Sequence, residues 1–154
     1  MERPIRVYVD TSVFGGAFDP EFTKATQAFW DRVRGGMLEA AVSPLVLAEL
    51  ESAPASVTGL VAELESLLVR VEIKEAAYAL RRAYLDARVV GPRWAADALH
   101  VAVATVAGCR AIVSWNFRHI VNFRKIPVYN GVNLTLGFGQ IAIHTPPEVI
   151  QYDE

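Results

Sequence analysis

Three carboxylates, far apart along the chain, could together hold a metal ion. Asp10 directly follows segment 5–9, whose alternating apolar residues are typical of a β-strand, whereas Glu49 and Asp97 lie in apolar segments typical of helices. Taken singly, Asp10 could cap a turn and Glu49 could be an ordinary solvated side chain. Asp97 has apolar neighbours on both sides, and a partly buried carboxylate seldom lacks a partner. Pro92 would place it in the first turns of a helix, whose dipole favours the ionised form.

The chemistry of these acids depends on their meeting at one place, because clustered carboxylates repel one another unless a cation or a proton intervenes. Oxygen ligands that retain water suit Mg²⁺ or Mn²⁺ better than zinc. An ion held in this way can clamp a phosphodiester, activate a water molecule and stabilise the leaving oxygen. If the fold brings Asp10, Glu49 and Asp97 together, they predict metal-dependent phosphoryl transfer or hydrolysis.

Strands and helices alternate along most of the chain, which predicts a largely parallel sheet with helices on both faces. The predicted strands are 5–9, 40–43, 68–73, 111–115 and 141–144, and the predicted helices are 22–33, 44–50, 57–67, 75–88 and 93–107. Loops are predicted around residues 15–16 and 19–20. In an open parallel sheet, ligands bind beyond the carboxyl ends of the strands. Asp10 and Asn116 would both lie there.

The segment 99–106 is compatible with either a strand or a helix. Val101 and Val103 alternate with smaller residues as in a strand. The length of the segment, its many alanines, the preceding proline and the stop at Gly108 favour a helix instead.

The composition limits the kind of protein. With 154 residues, 53% of them hydrophobic, the chain is predicted to form a single domain, 1–154, with a proper core. It has no apolar run near the ~18 residues of a membrane span, and its N-terminus reaches an acid too early for a signal peptide. The single Cys109 excludes an intrachain disulfide and a cysteine-based zinc site, so we expect a cytoplasmic protein with no membrane partner.

The charge balance limits the mode of nucleic-acid binding. Fifteen Lys and Arg stand against 17 Asp and Glu, for a net charge of −2. This balance argues against broad coating of nucleic acid, for which a basic domain is expected. It does not exclude a local encounter with RNA at a metal ion that offsets the acids.

Four segments, in this order, make the chain resemble the PIN-domain family, in particular the VapC-like toxins of bacterial and archaeal toxin–antitoxin pairs. They are VYVDTSVFGG, SPLVLAELE, WAADALHVAVA and IVSWNFRHI. The resemblance implies a three-layer α/β/α sandwich with a mostly parallel central sheet. It also implies a Mg²⁺- or Mn²⁺-dependent ribonuclease that hydrolyses phosphodiester bonds of single-stranded or looped RNA. A homodimer and a small antitoxin partner are expected on the same ground.

The resemblance also assigns roles to polar residues in the first three segments. Asp10 and Asp97 would be the principal metal ligands of the catalytic site. Glu49 would complete the acidic cluster, binding the metal directly or through water. Ser12, and also Thr11, would support the site by hydrogen bonding.

Asn116, in the fourth segment, occupies a position where the family usually carries a further acid. Its amide oxygen could still bind a metal or a water molecule, but without the charge of a carboxylate. The number of bound metals, one or two, and the level of activity therefore stay open. One alternative is therefore a catalytically weakened PIN-fold interaction module. Another is a small phosphatase, because the strand ending at Asp10 resembles haloacid-dehalogenase-like enzymes. Those normally need a second Asp where Ser12 stands.

The histidines and tryptophans near these segments have structural as well as functional explanations. His100, one turn after Asp97, could orient that carboxylate, but it is more typical of a packing residue with one satisfied nitrogen. His119 falls in a basic connection, 118–125, that could contact phosphate. The arginines within 81–93 could form another such surface, or simply a solvated helix face. The tryptophans are predicted to lie in the core: Trp30, Trp94 and Trp115.

Overall fold

A computed structural model describes residues 3–150, and their central element is one five-stranded sheet. Its strands are β1 (Ile5–Val9), β2 (Leu38–Val42), β3 (Val69–Arg70), β4 (Ala111–Val113) and β5 (Ala142–His144). The spatial order is β3-β2-β1-β4-β5, and every neighbouring pair is parallel. The sheet grows from β1 through β2 to β3 on one side and through β4 to β5 on the other. The topological switch point therefore lies between β1 and β4, where ligands of such sheets bind.

Eight α-helices accompany the strands within residues 3–150. They are α1 (Ser12–Gly16), α2 (Thr23–Arg34), α3 (Pro44–Leu50), α4 (Ala55–Leu64), α5 (Glu75–Asp86), α6 (Ala95–Val106), α7 (Ile126–Thr135) and α8 (Pro146–Ile150). Short 3₁₀ turns follow α4 at Glu65–Leu67 and precede α6 at Pro92–Trp94. In this part of the chain, every helix is too short or too polar to cross a membrane. The predicted α/β/α sandwich with a mostly parallel sheet is confirmed.

The innermost part of the core is formed by β1 and α6. Val7, Tyr8 and Val9 are at most 1% exposed, and seven consecutive residues of α6, 98–104, are buried. A helix that is apolar on all sides is a helix buried within the protein. This explains why the alternating valines of that segment lie in a helix, as predicted, and not in a strand.

Helix α1 corrects the prediction of a loop around residues 15–16. The side chains of Val13 and Phe14 are fully buried, so the turn directly after β1 adds two apolar residues to the core. Gly16 permits close packing at this point, because a Cβ there would lie 2.7 Å from Nε1 of Trp115. Burial of the apolar pair outweighs the low helix propensity of two glycines.

Helix α7 has no counterpart among the elements predicted from the sequence. Its segment contains a proline, a glycine and two asparagines, which are weak helix formers. Tertiary contacts stabilise it: the ring of Tyr129 meets that of Tyr84 edge-on, with centroids 4.8 Å apart, and the side chain of Asn133 accepts a hydrogen bond from the Tyr84 hydroxyl. Packing rather than propensity therefore forms this helix.

Two strands are shorter than predicted by two residues or more. β3, at the edge of the sheet, pairs over two residues rather than over 68–73. β4 ends at Val113 rather than at residue 115. Beyond that point the backbone N–H groups of Trp115 and Asn116 donate to serine hydroxyls, each at 2.9 Å, instead of continuing the ladder.

Candidate active site at the carboxyl ends of β1 and β4

Asp10 lies at the switch point of the sheet, immediately after β1. Its backbone N–H donates to the carbonyl of Val113 on β4 at 3.2 Å, and the residue is 4% exposed. Its carboxylate accepts two hydrogen bonds from hydroxyls, at 2.5 Å from Ser12 to Oδ1 and at 3.0 Å from Ser114 to Oδ2. Burial raises the pKa of Asp10 above its ordinary value, and the negative charge of Asp97 acts in the same direction.

Two serines fix the orientation of this carboxylate by linking the ends of β1 and β4. While Ser12 donates to Asp10, its Oγ accepts the backbone N–H of Trp115. Ser114 likewise donates to Asp10 and accepts the backbone N–H of Asn116. Ser12 was predicted as a supporting residue from the sequence, whereas Ser114 was not. The signal was available, because Ser114 is a polar residue directly at the end of an apolar strand.

Glu49, in the last turn of α3, is held by two residues through one oxygen. Nε2 of His100 lies 2.6 Å from Oε1, and the hydroxyl of Thr11 donates to the same oxygen at 2.9 Å. Burial alone would raise the pKa of Glu49, but its interactions with His100 and Thr11 hold that pKa below its ordinary value. Both of these contacts involve Oε1, and Oε2 makes no hydrogen bond to another of the residues 3–150.

His100 connects Glu49 to the interior of the protein. Its Nδ1 lies 2.8 Å from the hydroxyl of Tyr8, which lies 2.8 Å from Oγ of Ser43. Burial raises the pKa of Tyr8, so its hydroxyl stays protonated. Because the Glu49 carboxylate can only accept, Nε2 donates to it, and in the neutral tautomer Nδ1 accepts from Tyr8. Both nitrogens of His100 are thus satisfied, and the carboxylate that it orients is Glu49 rather than Asp97.

Asp97 and Asn116 lie beside a cavity in another part of the same rim. Asp97, in the first turn of α6, is partly buried and makes no side-chain hydrogen bond or ion pair with another described residue. The two residues line one cavity of about 440 Å³. The side-chain oxygen of Asn116 accepts the backbone N–H of His119 at 2.9 Å, so this amide also caps the turn that follows β4.

The tryptophans divide between the core and this rim. Trp30 is buried, as predicted. Trp94 and Trp115 are only partly buried and pack at the edge of the core. The Trp115 ring stacks on Phe22 at 4.3 Å between centroids, and Trp94 stacks on His119 at 4.4 Å.

The carboxylates of Asp10, Asp97 and Glu49 are oxygen donors of the kind that a hard cation prefers, although the three groups do not converge on one point. Among the described residues, no three His, Cys, Asp or Glu side chains form a group that could hold a metal ion. Asp10 is nevertheless a buried carboxylate whose hydrogen-bond donors are neutral hydroxyls, and Asp97 adds negative charge nearby. A cation beside them would relieve this repulsion, and Oε2 of Glu49 is available to it. The assignment of Asp10, Asp97 and Glu49 as metal ligands stays a prediction.

Several solved structures share this fold. VapBC2 from Rickettsia felis bound to a promoter DNA fragment is 14% identical with a TM-score of 0.60, and DNA-bound VapBC from Salmonella typhimurium is 20% identical with a TM-score of 0.59. Each comparison covers 92% of this chain and 98% of the matched chain. VapC20 from Mycobacterium tuberculosis, a toxin that cleaves the sarcin–ricin loop, is 15% identical with a TM-score of 0.51, over 88% of this chain and 98% of its own.

The sequence itself settles the family. No curated protein sequence matches the chain, and the structural identities are low enough to establish the fold alone. Residues 7–123, about three quarters of the length, match the PIN domain. That segment contains all four of the motifs from which membership was predicted, and the chain therefore belongs to the PIN-domain family.

Proposed function

We propose that this protein is a Mg²⁺- or Mn²⁺-dependent ribonuclease and the toxin of a toxin–antitoxin pair. Membership of the PIN-domain family supports a nuclease, and the fold shared with the VapC20 toxin supports the toxin role. The single observation that carries the proposal is the buried Asp10 at the switch point of the sheet, whose charge is opposed by burial and by Asp97.

In this proposal, Asp10, Asp97 and Glu49 hold the metal ion at the carboxyl ends of β1 and β4. The ion would supply a Lewis acid that activates water and stabilises the leaving oxygen. The protein contributes orientation: hydroxyl donors hold both oxygens of Asp10, whereas His100 and Thr11 hold Oε1 of Glu49. Residues that hydrogen-bond to a metal ligand set the direction and the basicity of that ligand.

The proposed partners follow from the same comparison. Folds of this kind occur in VapBC assemblies bound to DNA, which supports a small antitoxin as the binding partner. The proposed substrate is RNA, and the proposed state of the toxin is a homodimer. We place the protein in the cytoplasm, where RNA is available and the single Cys109 stays reduced.

The test compares cleavage of a mixed RNA pool in Mn²⁺ by the wild type, Asp10→Asn and Asp97→Asn. Asp86→Asn is the matched control, because Asp86 is an exposed aspartate at the end of α5. We expect both rim variants to lose cleavage by about 100-fold or more and the control to retain it. Calorimetric titration with Mn²⁺ gives an independent readout, in which Asp10→Asn should lose binding. Unchanged cleavage by Asp10→Asn would show that the proposed site is wrong.

One alternative retains support from specific observations. Asn116 replaces a usual acid, and Glu49 is engaged by His100, so the chain could be a PIN-fold interaction module with weakened catalysis. A folded wild type that neither binds Mn²⁺ nor cleaves RNA would contradict the ribonuclease proposal and favour this alternative. The phosphatase alternative gains no support from the family match.

A further inference from the structure

A cavity of about 440 Å³ opens at the rim, between the start of α6 and the turn that follows β4. Its lining includes Arg93, Trp94, Asp97, Asn116, Arg118 and His119. It therefore combines a predicted metal ligand with two arginines and two stacked rings. Since Asp97 belongs to both the rim and the cavity, a polymer lying across the rim would continue into the cavity.

Two guanidinium groups are held at this cavity by one aromatic ring. Cζ of Arg93 lies 5.1 Å and Cζ of Arg118 lies 5.2 Å from the centroid of the Trp94 ring. Both arginines are exposed, and within residues 3–150 neither forms an ion pair with a carboxylate. Contact with the ring restricts each side chain without occupying its N–H donors. Planar guanidinium groups with free donors are suited to phosphate oxygens.

His119 also lines the cavity, and its ring stacks on that of Trp94. It is 7% exposed, and neither ring nitrogen is hydrogen-bonded to another described residue. Burial lowers the pKa of His119 and outweighs the opposite effect of Asp97, while Arg118 and Lys125 lower the pKa further. A neutral imidazole carries one donor and one acceptor, and buried polar groups of this kind normally have partners.

We propose that this cavity is a subsite for a backbone phosphate of single-stranded RNA, next to the bond that is cleaved at the rim. The guanidinium groups of Arg93 and Arg118 contact the phosphate oxygens. The proposal rests on the proposed ribonuclease function and deepens it, because it assigns where the substrate strand lies. In a chain of net charge −2, these two arginines would supply positive charge locally, beside Asp97.

The test measures binding of a short 2′-O-methyl oligoribonucleotide, which resists cleavage, in EDTA by fluorescence anisotropy over a range of salt concentrations. We expect the double variant Arg93→Gln with Arg118→Gln to bind about 10-fold more weakly. The slope of log affinity against log salt should fall by about 0.7, the value for one single-strand phosphate contact. Arg81→Gln controls for the loss of an arginine that contacts an aromatic ring elsewhere, because Cζ of Arg81 lies 5.2 Å from the ring of Tyr78 on α5, outside the cavity lining.

A second double variant, Arg93→Lys with Arg118→Lys, separates charge from geometry. It should keep the salt slope of the wild type and recover part of the affinity, because lysine retains the charge but not the planar fork. Equal affinity and slope for the wild type and the glutamine double variant would overturn the subsite. So would an equal loss in Arg81→Gln, absence of RNA binding by the wild type, or arginine-dependent binding of an acidic peptide in place of RNA.

These outcomes are distinguishable from failure of the proposed function. If the wild type binds RNA through the two arginines but does not cleave in Mn²⁺, the subsite stands and the catalytic proposal fails. If the wild type cleaves RNA and the glutamine double variant binds as the wild type does, the catalytic proposal stands and the subsite is wrong.

Discussion

The two halves of the rim are built in opposite ways. In the half that we call closed, because its carboxylates are engaged by side chains, the buried Asp10 and the exposed Glu49 are both held by hydrogen bonds, which extend through His100 and Tyr8 into the core. In the open half, Asp97 makes no hydrogen bond or ion pair within the described residues and faces a cavity with arginines at its edge. One half fixes its carboxylates, and the other leaves room for a ligand.

This difference shows how a small domain can hold its carboxylates in fixed directions and still leave space for a substrate to approach them. Carboxylates that must converge on one ion need fixed directions, which buried donors supply. A substrate strand needs an approach that is not filled by side chains. The histidines of the two halves therefore differ in their hydrogen bonds. Both nitrogens of His100 have hydrogen-bond partners, whereas those of His119 have none among the described residues.

The largest expected difference is in stability, between His100→Phe and His119→Phe. We expect His100→Phe to lower the free energy of unfolding by about 2–3 kcal/mol, because the buried hydroxyl of Tyr8 loses a partner and the exposed Glu49 loses the donor that holds it. His119→Phe should change it by less than about 1 kcal/mol, because no hydrogen bond of the ring is lost. Urea-induced unfolding followed by circular dichroism measures both.

Equal losses in the two variants would contradict the contrast between the closed and open halves. His100→Gln serves as a partial rescue, because its amide can donate to Glu49 and accept from Tyr8 but lacks the rigid ring that fixes the two positions. Its free energy of unfolding should fall between those of the wild type and His100→Phe.

A smaller effect is expected from a pair of adjacent glycines in α1. A Cβ at Gly16 would lie 2.7 Å from Nε1 of Trp115 and 2.9 Å from the hydroxyl of Thr26, whereas one at Gly15 would meet nothing within 4 Å. Gly16→Ala should therefore destabilise the protein by about 1–3 kcal/mol. Gly15→Ala should be neutral or stabilise it by up to about 1 kcal/mol, since alanine favours the helix.

The variants Gly15→Ala and Gly16→Ala also test whether the orientation of Asp10 depends on the position of Trp115. The backbone N–H of Trp115 donates to Ser12, so displacement of Trp115 should also disturb Asp10. Weaker Mn²⁺ binding by Gly16→Ala than by Gly15→Ala, measured by calorimetry, is the expected result. Identical stability of the two variants would show that this contact is not tight.

The smallest expected effect is a pH dependence that arises in the open half. Burial, together with the nearby Arg118 and Lys125, lowers the pKa of His119 from 6.5 in spite of Asp97. The unfolded chain therefore takes up a proton at this ring before the folded chain does. The contribution of His119 to stability is lost as the pH falls through about 6.5 towards its folded pKa.

The measurement is the unfolding free energy of the wild type minus that of His119→Phe, at about pH 8 and at about pH 5.5. This difference should be smaller or more negative at the lower pH, because only the wild type loses stability through the protonation of His119. A difference that does not change with pH would mean that the ring is not held neutral in the folded protein.

Much of the architecture could be predicted from local patterns. Alternation in 5–9 predicted β1, and the length of segment 93–107, its alanines, the preceding proline and the following glycine predicted α6. Helices α1 and α7 could not be predicted in this way. Their glycines, proline and asparagines disfavour a helix, and only contacts with distant residues such as Tyr84 stabilise the second of them.

The roles of individual side chains were harder to predict than the elements. The sequence placed His100 beside Asp97, since the two are one turn apart, yet its partner is Glu49, which is 51 residues away. Ser114 reaches Asp10 across 104 residues. Neither pairing has a local signature, because a hydrogen bond depends on where two elements meet.

The sequence by itself determined the family, the alternation of strands and helices, and the acids that stand after strands or within apolar helices. Each of these depends on residue type and on spacing along the chain. The tertiary structure alone decided which donors hold Asp10, why Glu49 is oriented by His100, and that Arg93 and Arg118 flank one cavity with Asp97. The physical reason is that parallel crossover connections bring together the ends of strands that are far apart in sequence.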